Sequence, residues 1–208
     1  ASVRAGTYLF EEPQNLFTVA RRVVTGAYGL PPVRITFPEG TTVREAALLI
    51  AQALPDTPAA DFLKEAQPHE GYLFPDTYLF LPFADAASMV AIMRENFDTK
   101  IAAISAELHA SGRSLSDTVI LASLVEKEAR STENRRIVAG ILLNRLKLGM
   151  PLQVDAVFGY IFGRETYSPS FADLTVDSPY NTYTHAGLPP GPICNPGLDS
   201  LSAVIHPI

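Results

Sequence analysis

Two consecutive helical patterns between residues 116 and 147 constrain this chain more than any other feature. Ser116 stands as N-cap of the first, with Asp117 suited to the positive helix end, and the pattern runs to Arg130. Ser131 or Thr132 begins the second. It carries Ile137, Ile141, Leu142 and Leu146 to Lys147, and Gly149 is placed as its left-handed stop. From Met150 onward Gly and Pro are frequent and the helical period is lost. The spacing therefore predicts a helical core followed by an irregular, strand-containing region.

The residues before this pair read differently. Residues 5–10 hold strand-forming Thr7, Tyr8 and Phe10 after Gly6. Residues 17–24 give a short helix with Phe17, Ala20 and Val24 on one side, and residues 33–37 alternate with the period of a half-buried strand. Thr41 or Thr42 caps a helix to about residue 53 that carries Val43, Ala46, Ala47 and Ile50. Residues 70–83 are rich in Tyr and Phe yet contain Glu70 and Asp76, and Pro75 argues against both a continuous helix and a central strand there. Residues 84–110 are helical in pattern. The expected fold class is α+β: a small subdomain over 1–66, then a helix-rich domain over 67–208 with short strands and an irregular, cleft-forming loop region.

Composition excludes several classes. Of 208 residues, 47% are hydrophobic and 18% charged, which is incompatible with a disordered tail. A chain of this length buries about 70% of its unfolded surface and needs no disulfide or metal to hold it. The net charge is −6, and no Lys/Arg run exceeds a pair, as at Arg21-Arg22 and Arg135-Arg136, so no nucleic-acid partner is expected. No apolar run approaches 18 residues, so nothing in this stretch spans a membrane. Cys194, alone, makes neither an intrachain disulfide nor a thiolate metal site, and the four histidines lack metal spacing. Phosphate-binding and dinucleotide-binding glycine motifs and the Gly-x-Ser-x-Gly elbow are absent, so neither metal nor cofactor is expected.

Three constellations carry candidate chemistry. Glu128 shares a helix face with Val125, Leu124 and Leu121, and a carboxyl at the edge of an apolar stripe is partly desolvated, which suits a general acid. Glu126 has only Ser123 and Ala122 on its face, a weaker pull toward the core. Gln153 and Asp155 point the same way if residues 152–155 are extended. Residues 178–183, with Asn181, Thr182 and Tyr183, precede a stiff Gly-Leu-Pro-Pro-Gly-Pro loop holding Leu188 and Pro189. Such mixtures of amide, hydroxyl and ring face bind sugars; solvated helix end, turn and rigid structural loop are the plain alternatives.

Together these segments resemble the endolytic murein transglycosylases, the YceG-like family. The matching stretches are residues 70–78, 122–129, 141–155, 180–183 and 187–201, in the family's order. Residues 1–66 resemble the family's LysM-like region more weakly. The resemblance implies an enzyme that cuts peptidoglycan glycan strands internally, with Glu128 as the catalytic glutamate. It also implies attachment to the inner membrane by one N-terminal helix that this chain lacks, with the catalytic part facing the periplasm or cell wall. The family continues with an aromatic-rich segment beyond Ile208. In the mechanism so implied, Glu128 is the single acid/base. Gln153, Asp155, Asn181 and Thr182 hold the sugar with Tyr183 on its face, and Leu188 and Pro189 border it. Glu70 and Asp76 join the substrate-binding set, with bracing of the cleft as the alternative role. Three other readings stay open: a hydrolytic muramidase using Glu128 with Asp155, a wall-binding module without activity, and a scaffold recruiting the cell-wall synthesis machinery.

Overall fold

The clearest local signal in the first half is the pair Thr42 and Glu45. The Thr42 hydroxyl accepts the Glu45 N–H at 3.1 Å and the Glu45 carboxylate accepts the Thr42 N–H at 2.7 Å, a reciprocal cap that starts helix α2, Val43–Ala53. Thr42→Ala is expected to cost about 1 kcal/mol of folding free energy, read from urea unfolding. A computed structural model describes residues 3–164 and 168–208 and shows an α+β chain whose strands, among those residues, form one two-stranded sheet. Strand β1, Val33–Thr36, pairs antiparallel with β2, Thr77–Phe80, with Ile35 opposite Tyr78. β2 starts beyond Pro75, so the imino acid stays outside the ladder.

Helix α3, Ala59–Ala66, packs on α2 and on α4, Ala86–Ala103. These elements enclose a first core around Ile35, Ile50, Phe62, Phe80, Met89 and Met93. The helix expected over 84–110 is interrupted: Ile104 leaves helical geometry with ψ of 12°, and α5, Ser105–Ala110, follows. One further expectation fails. Residues 5–10 form no strand; the Tyr8 hydroxyl instead donates to the carbonyls of Arg4 and Val23, and the Tyr8 ring lies 4.8 Å from that of Tyr28. The short helix expected over 17–24 forms as α1, Leu16–Thr25; it buries none of its residues, and Phe17 is 87% exposed.

The second core surrounds helix α6, Leu115–Glu128. Eight consecutive residues from Thr118 to Val125 are buried, so this helix is covered on every side through its middle. Its N-cap is Ser114, whose hydroxyl accepts the Asp117 N–H at 3.0 Å, rather than Ser116, and it ends at Glu128 rather than Arg130 because Ala129 is extended. Helix α7, Thr132–Lys147, begins after Ser131 as N-cap and is followed by the left-handed Gly149. Helices α8, Ala156–Phe162, and α9, Leu198–Ile205, complete this half, with α9 against both α6 and α7. The described residues contain no helix long and apolar enough to cross a membrane.

Asn195 ties the two cores together. Its carbonyl accepts the Gly40 N–H, its side-chain amide donates to the Thr41 carbonyl at 2.9 Å, and its side-chain oxygen accepts the Leu73 N–H at 2.9 Å. The adjoining Ile193 N–H is held by the Ser123 hydroxyl at 3.1 Å, so residues 193–195 run from the middle of α6 to the first core. The space left beside this tie is the cleft.

Candidate active site

A cavity of about 800 Å³ lies between α2 and α3 on one side and α8 with the end of α6 on the other. That is toward the upper end of the roughly 300–1,000 Å³ typical of ligand sites. Glu128, Asp155 and Glu70 all line it, from three separated stretches of sequence.

Glu128 is the last residue of α6, so its carboxyl stands at the negative end of the helix dipole. Loss of solvent raises its pKa above the usual carboxylate range, the backbone N–H of Ala156 opposes that rise, and the neighbouring Asp155 charge adds to it. Glu126, two residues earlier, has a different fate. Its side chain is only 4% exposed, one oxygen lies 2.6 Å from an Arg135 nitrogen, and the other accepts the Gly197 N–H at 2.9 Å. Arg135 also reaches Asp199 at 2.6 Å. The weaker pull toward the core expected for Glu126 is thus reversed, because a cation from α7 meets it inside. Glu126 is committed to the fold, whereas Glu128 opens to the cavity.

Residues 152–155 are not extended. Gln153 has φ of 55° and is the only non-glycine with positive φ among the described residues. A left-handed residue with a Cβ costs about 1–2 kcal/mol, and Arg145 supports it by donating to the carbonyls of Pro151 and Leu152 and to the Gln153 side-chain oxygen at 2.8 Å. This turn separates Gln153, directed to Arg145, from Asp155, which reaches the cavity at the start of α8. The Tyr183 hydroxyl donates to Asp155 at 2.5 Å, and that bond, followed by burial, pushes the Tyr183 pKa up to about 12.

The remaining expected site residues lie elsewhere. The Asn181 amide donates to the carbonyls of Leu174 and Val176, and its oxygen accepts the Tyr183 N–H. The Thr182 hydroxyl accepts the Val154 N–H at 2.9 Å. Both are buried and fasten the loop that carries Tyr183. Pro189 is buried, Leu188 packs on the second core, and neither lines the cavity. Asp76 caps the start of β2, accepting the Thr77 N–H at 2.7 Å and an Asn96 amide at 3.1 Å, also away from the cavity.

Glu70 caps α2 from below, accepting the Val43 N–H at 3.1 Å. Burial raises its pKa to about 7 against that hydrogen bond. A carboxyl that binds its proton more tightly folded than unfolded contributes fully below its unfolded value near 4.5 and loses that contribution as pH rises to about 7. Folding stability is expected to fall by about 3 kcal/mol over that window on this group's account. Glu70→Gln should flatten the decline in urea unfolding followed across pH.

Sequence reasoning missed Tyr160, Arg44 and Lys127, which line the cavity together with Tyr180 of the ring-bearing stretch 178–183. The rings of Tyr160 and Tyr180 lie 5.0 Å apart. For Arg44 a signal existed: it falls at the flank of the apolar face of α2 made by Val43, Ala46, Ala47 and Ile50.

The model of the YceG-like family matches residues 1–208. The chain belongs to the YceG-like family. A solved structure of a yceG-like protein from Listeria monocytogenes shares this fold with a TM-score of 0.78 and 30% identity, over 99% of this chain and 76% of that one. The endolytic murein transglycosylase of Bacillus subtilis is 31% identical over 98% of this chain and 64% of its own length. That of Streptococcus pneumoniae is 35% identical over 66% of this chain and 26% of its own. This YceG-like chain therefore spans just under two thirds of the first curated relative and about a quarter of the second.

Proposed function

We propose that this chain carries the glycan-cleaving part of an endolytic murein transglycosylase, with Glu128 as its one acid/base. The carrying observation is that Glu128 opens to the cavity with a raised pKa while Glu126 is bound in the fold. Neutral Glu128 gives its proton to the glycosidic oxygen between N-acetylmuramic acid and N-acetylglucosamine, and the C1–O bond breaks. The C6 hydroxyl of the same muramic sugar attacks C1, and its proton returns to the Glu128 carboxylate. One bond is made for the one broken, no water is consumed, and the new end is a 1,6-anhydro sugar. The nucleophile belongs to the substrate, so holding the ring in place supplies much of the rate. Asp155, fixed by Tyr183, keeps a negative charge near Glu128 and favours its protonated form.

Two further parts of the reading concern the wider protein. Residues 1–66 would act as a LysM-like holder of glycan, and the protein would work at the outer face of the inner membrane. Digestion of purified peptidoglycan followed by mass spectrometry tests the chemistry: internal fragments with 1,6-anhydro ends support it. Reducing ends would replace it with a hydrolase that uses Asp155 as second carboxylate, a reading favoured by Asp155 lining the same cavity. Asp155→Asn removes the nearby charge and lowers the Glu128 pKa. The alkaline limb of the pH–rate profile is then expected to move to lower pH; an unmoved limb would count against the coupling.

A further inference from the structure

The wall of the cavity facing Glu128 has a composition that a bare sugar strand does not use. On α2, Arg44 and Leu48 stand four residues apart and so share one face. Leu63 and Gln67 are likewise four apart, at the end of α3 and just beyond it, and all four side chains line the cavity. Leu48 is 63% exposed in spite of its size. Among the described residues the Arg44 guanidinium makes no hydrogen bond or ion pair, and the Gln67 side-chain amide makes no hydrogen bond.

Arg44 is exposed, and its guanidinium lies against the end of α8. Gly163, at the left-handed end of α8 with φ of 64°, lies under the guanidinium, and a Cβ at residue 163 would collide with Arg44 Nη1. The cation therefore spans from α2 toward the far wall. Among the described residues, the acidic groups nearest it along the chain and on this wall are engaged elsewhere: Glu45 accepts the Thr42 N–H and Glu70 the Val43 N–H. An unpaired guanidinium beside exposed leucine surface and a free amide matches a short peptide: side-chain methyls for the leucines, a peptide group for Gln67, a carboxylate for Arg44.

We propose that this wall is a subsite for the peptide branch of the glycan strand, with Arg44 as the receptor for a branch carboxylate and as a determinant of specificity. The proposal rests on the glycan-cleaving reading above. A polyanion without apolar groups leaves Leu48 and Leu63 uncovered, which is why the peptide is preferred over a phosphate-bearing wall polymer.

The test uses two tetrasaccharides of alternating N-acetylglucosamine and N-acetylmuramic acid, one with peptides and one stripped of them by an amidase. Binding to the Glu128→Gln chain is measured by calorimetry, alone and combined with Arg44→Gln or Leu48→Ser. Arg44→Gln is expected to weaken the peptide-bearing ligand about 10-fold more than the stripped one. Leu48→Ser should act in the same direction, and added salt should reduce the peptide-dependent part. Equal weakening of both ligands would overturn the proposal and move the carboxylate to the lactyl group that the stripped glycan retains. Unchanged binding of the peptide-bearing ligand would also overturn it. If neither tetrasaccharide binds, the glycan reading itself falls and this inference with it, an outcome distinct from binding that ignores the peptide.

Discussion

Glu128→Gln is expected to abolish glycan cleavage while the chain folds as before. A positioned acid/base contributes about 10²–10⁴-fold, and the same carboxyl here serves both proton transfers, so the loss should fall at the upper end. The amide has no proton to give the leaving oxygen and no lone pair basic enough to take one from the C6 hydroxyl. Its carbonyl still accepts the Ala156 N–H, and Glu128 belongs to neither core. Unfolding in urea should therefore shift by less than about 1 kcal/mol. The products are read by mass spectrometry beside the parent chain. Anhydro ends appearing at the parent rate would remove Glu128 from the mechanism.

Arg135→Met is expected to lose about 3–5 kcal/mol of folding free energy, the range for one partner of a buried ion pair left alone. Arg135 meets Glu126 and Asp199 at 2.6 Å each and donates to the Ala129 carbonyl at 3.2 Å. Removing it strands Glu126, whose side chain is 4% exposed, next to α9. It also frees the turn between α6 and α7, the turn that ends α6 at Glu128. Adding Glu126→Gln to Arg135→Met should recover part of the loss, because the uncompensated charge goes with it. A single-variant loss below about 1 kcal/mol in urea unfolding would show that the pair is solvated instead of buried.

Local signals were legible where the cause is local. The cap at Thr42, the alternation over β1 and the start of α7 at Ser131 each depend on residues within one turn of one another. Helices α3, α8 and α9 went unseen for the same reason inverted: none has a side-chain cap, and none exceeds eight residues. Tertiary packing holds them, and packing leaves little trace in a short window. The candidate site divides in the same way. Glu128 could be reached from helical spacing alone. Asp155 reaches the cavity through a left-handed Gln153 that strand alternation does not anticipate. Asn181 and Thr182 have the residue types of sugar ligands, yet their polar groups are spent inside the loop. The reversed fates of Glu126 and Glu128 depend on Arg135, a residue on the next helix.

The tie at Asn195 has a consequence for the order in which the molecule is made. Its bonds to Leu73 and Thr41 span 122 and 154 residues of chain. Contacts at such separations form late, since loop closure must precede any gain from them. The first core draws only on residues 35–93 and can condense while the cleft is still unset, whereas the second waits for Ile193, Cys194, Leu201 and Val204. During synthesis the segment that fixes the cleft leaves the ribosome after almost everything it joins. A nascent chain stopped short of Asn195 would hold the first core, a second core still lacking Leu201 and Val204 of α9, and a cleft whose two walls are not yet tied together. Proteolytic protection is expected to appear in that order, first over the first core and last over the second core together with residues 193–195.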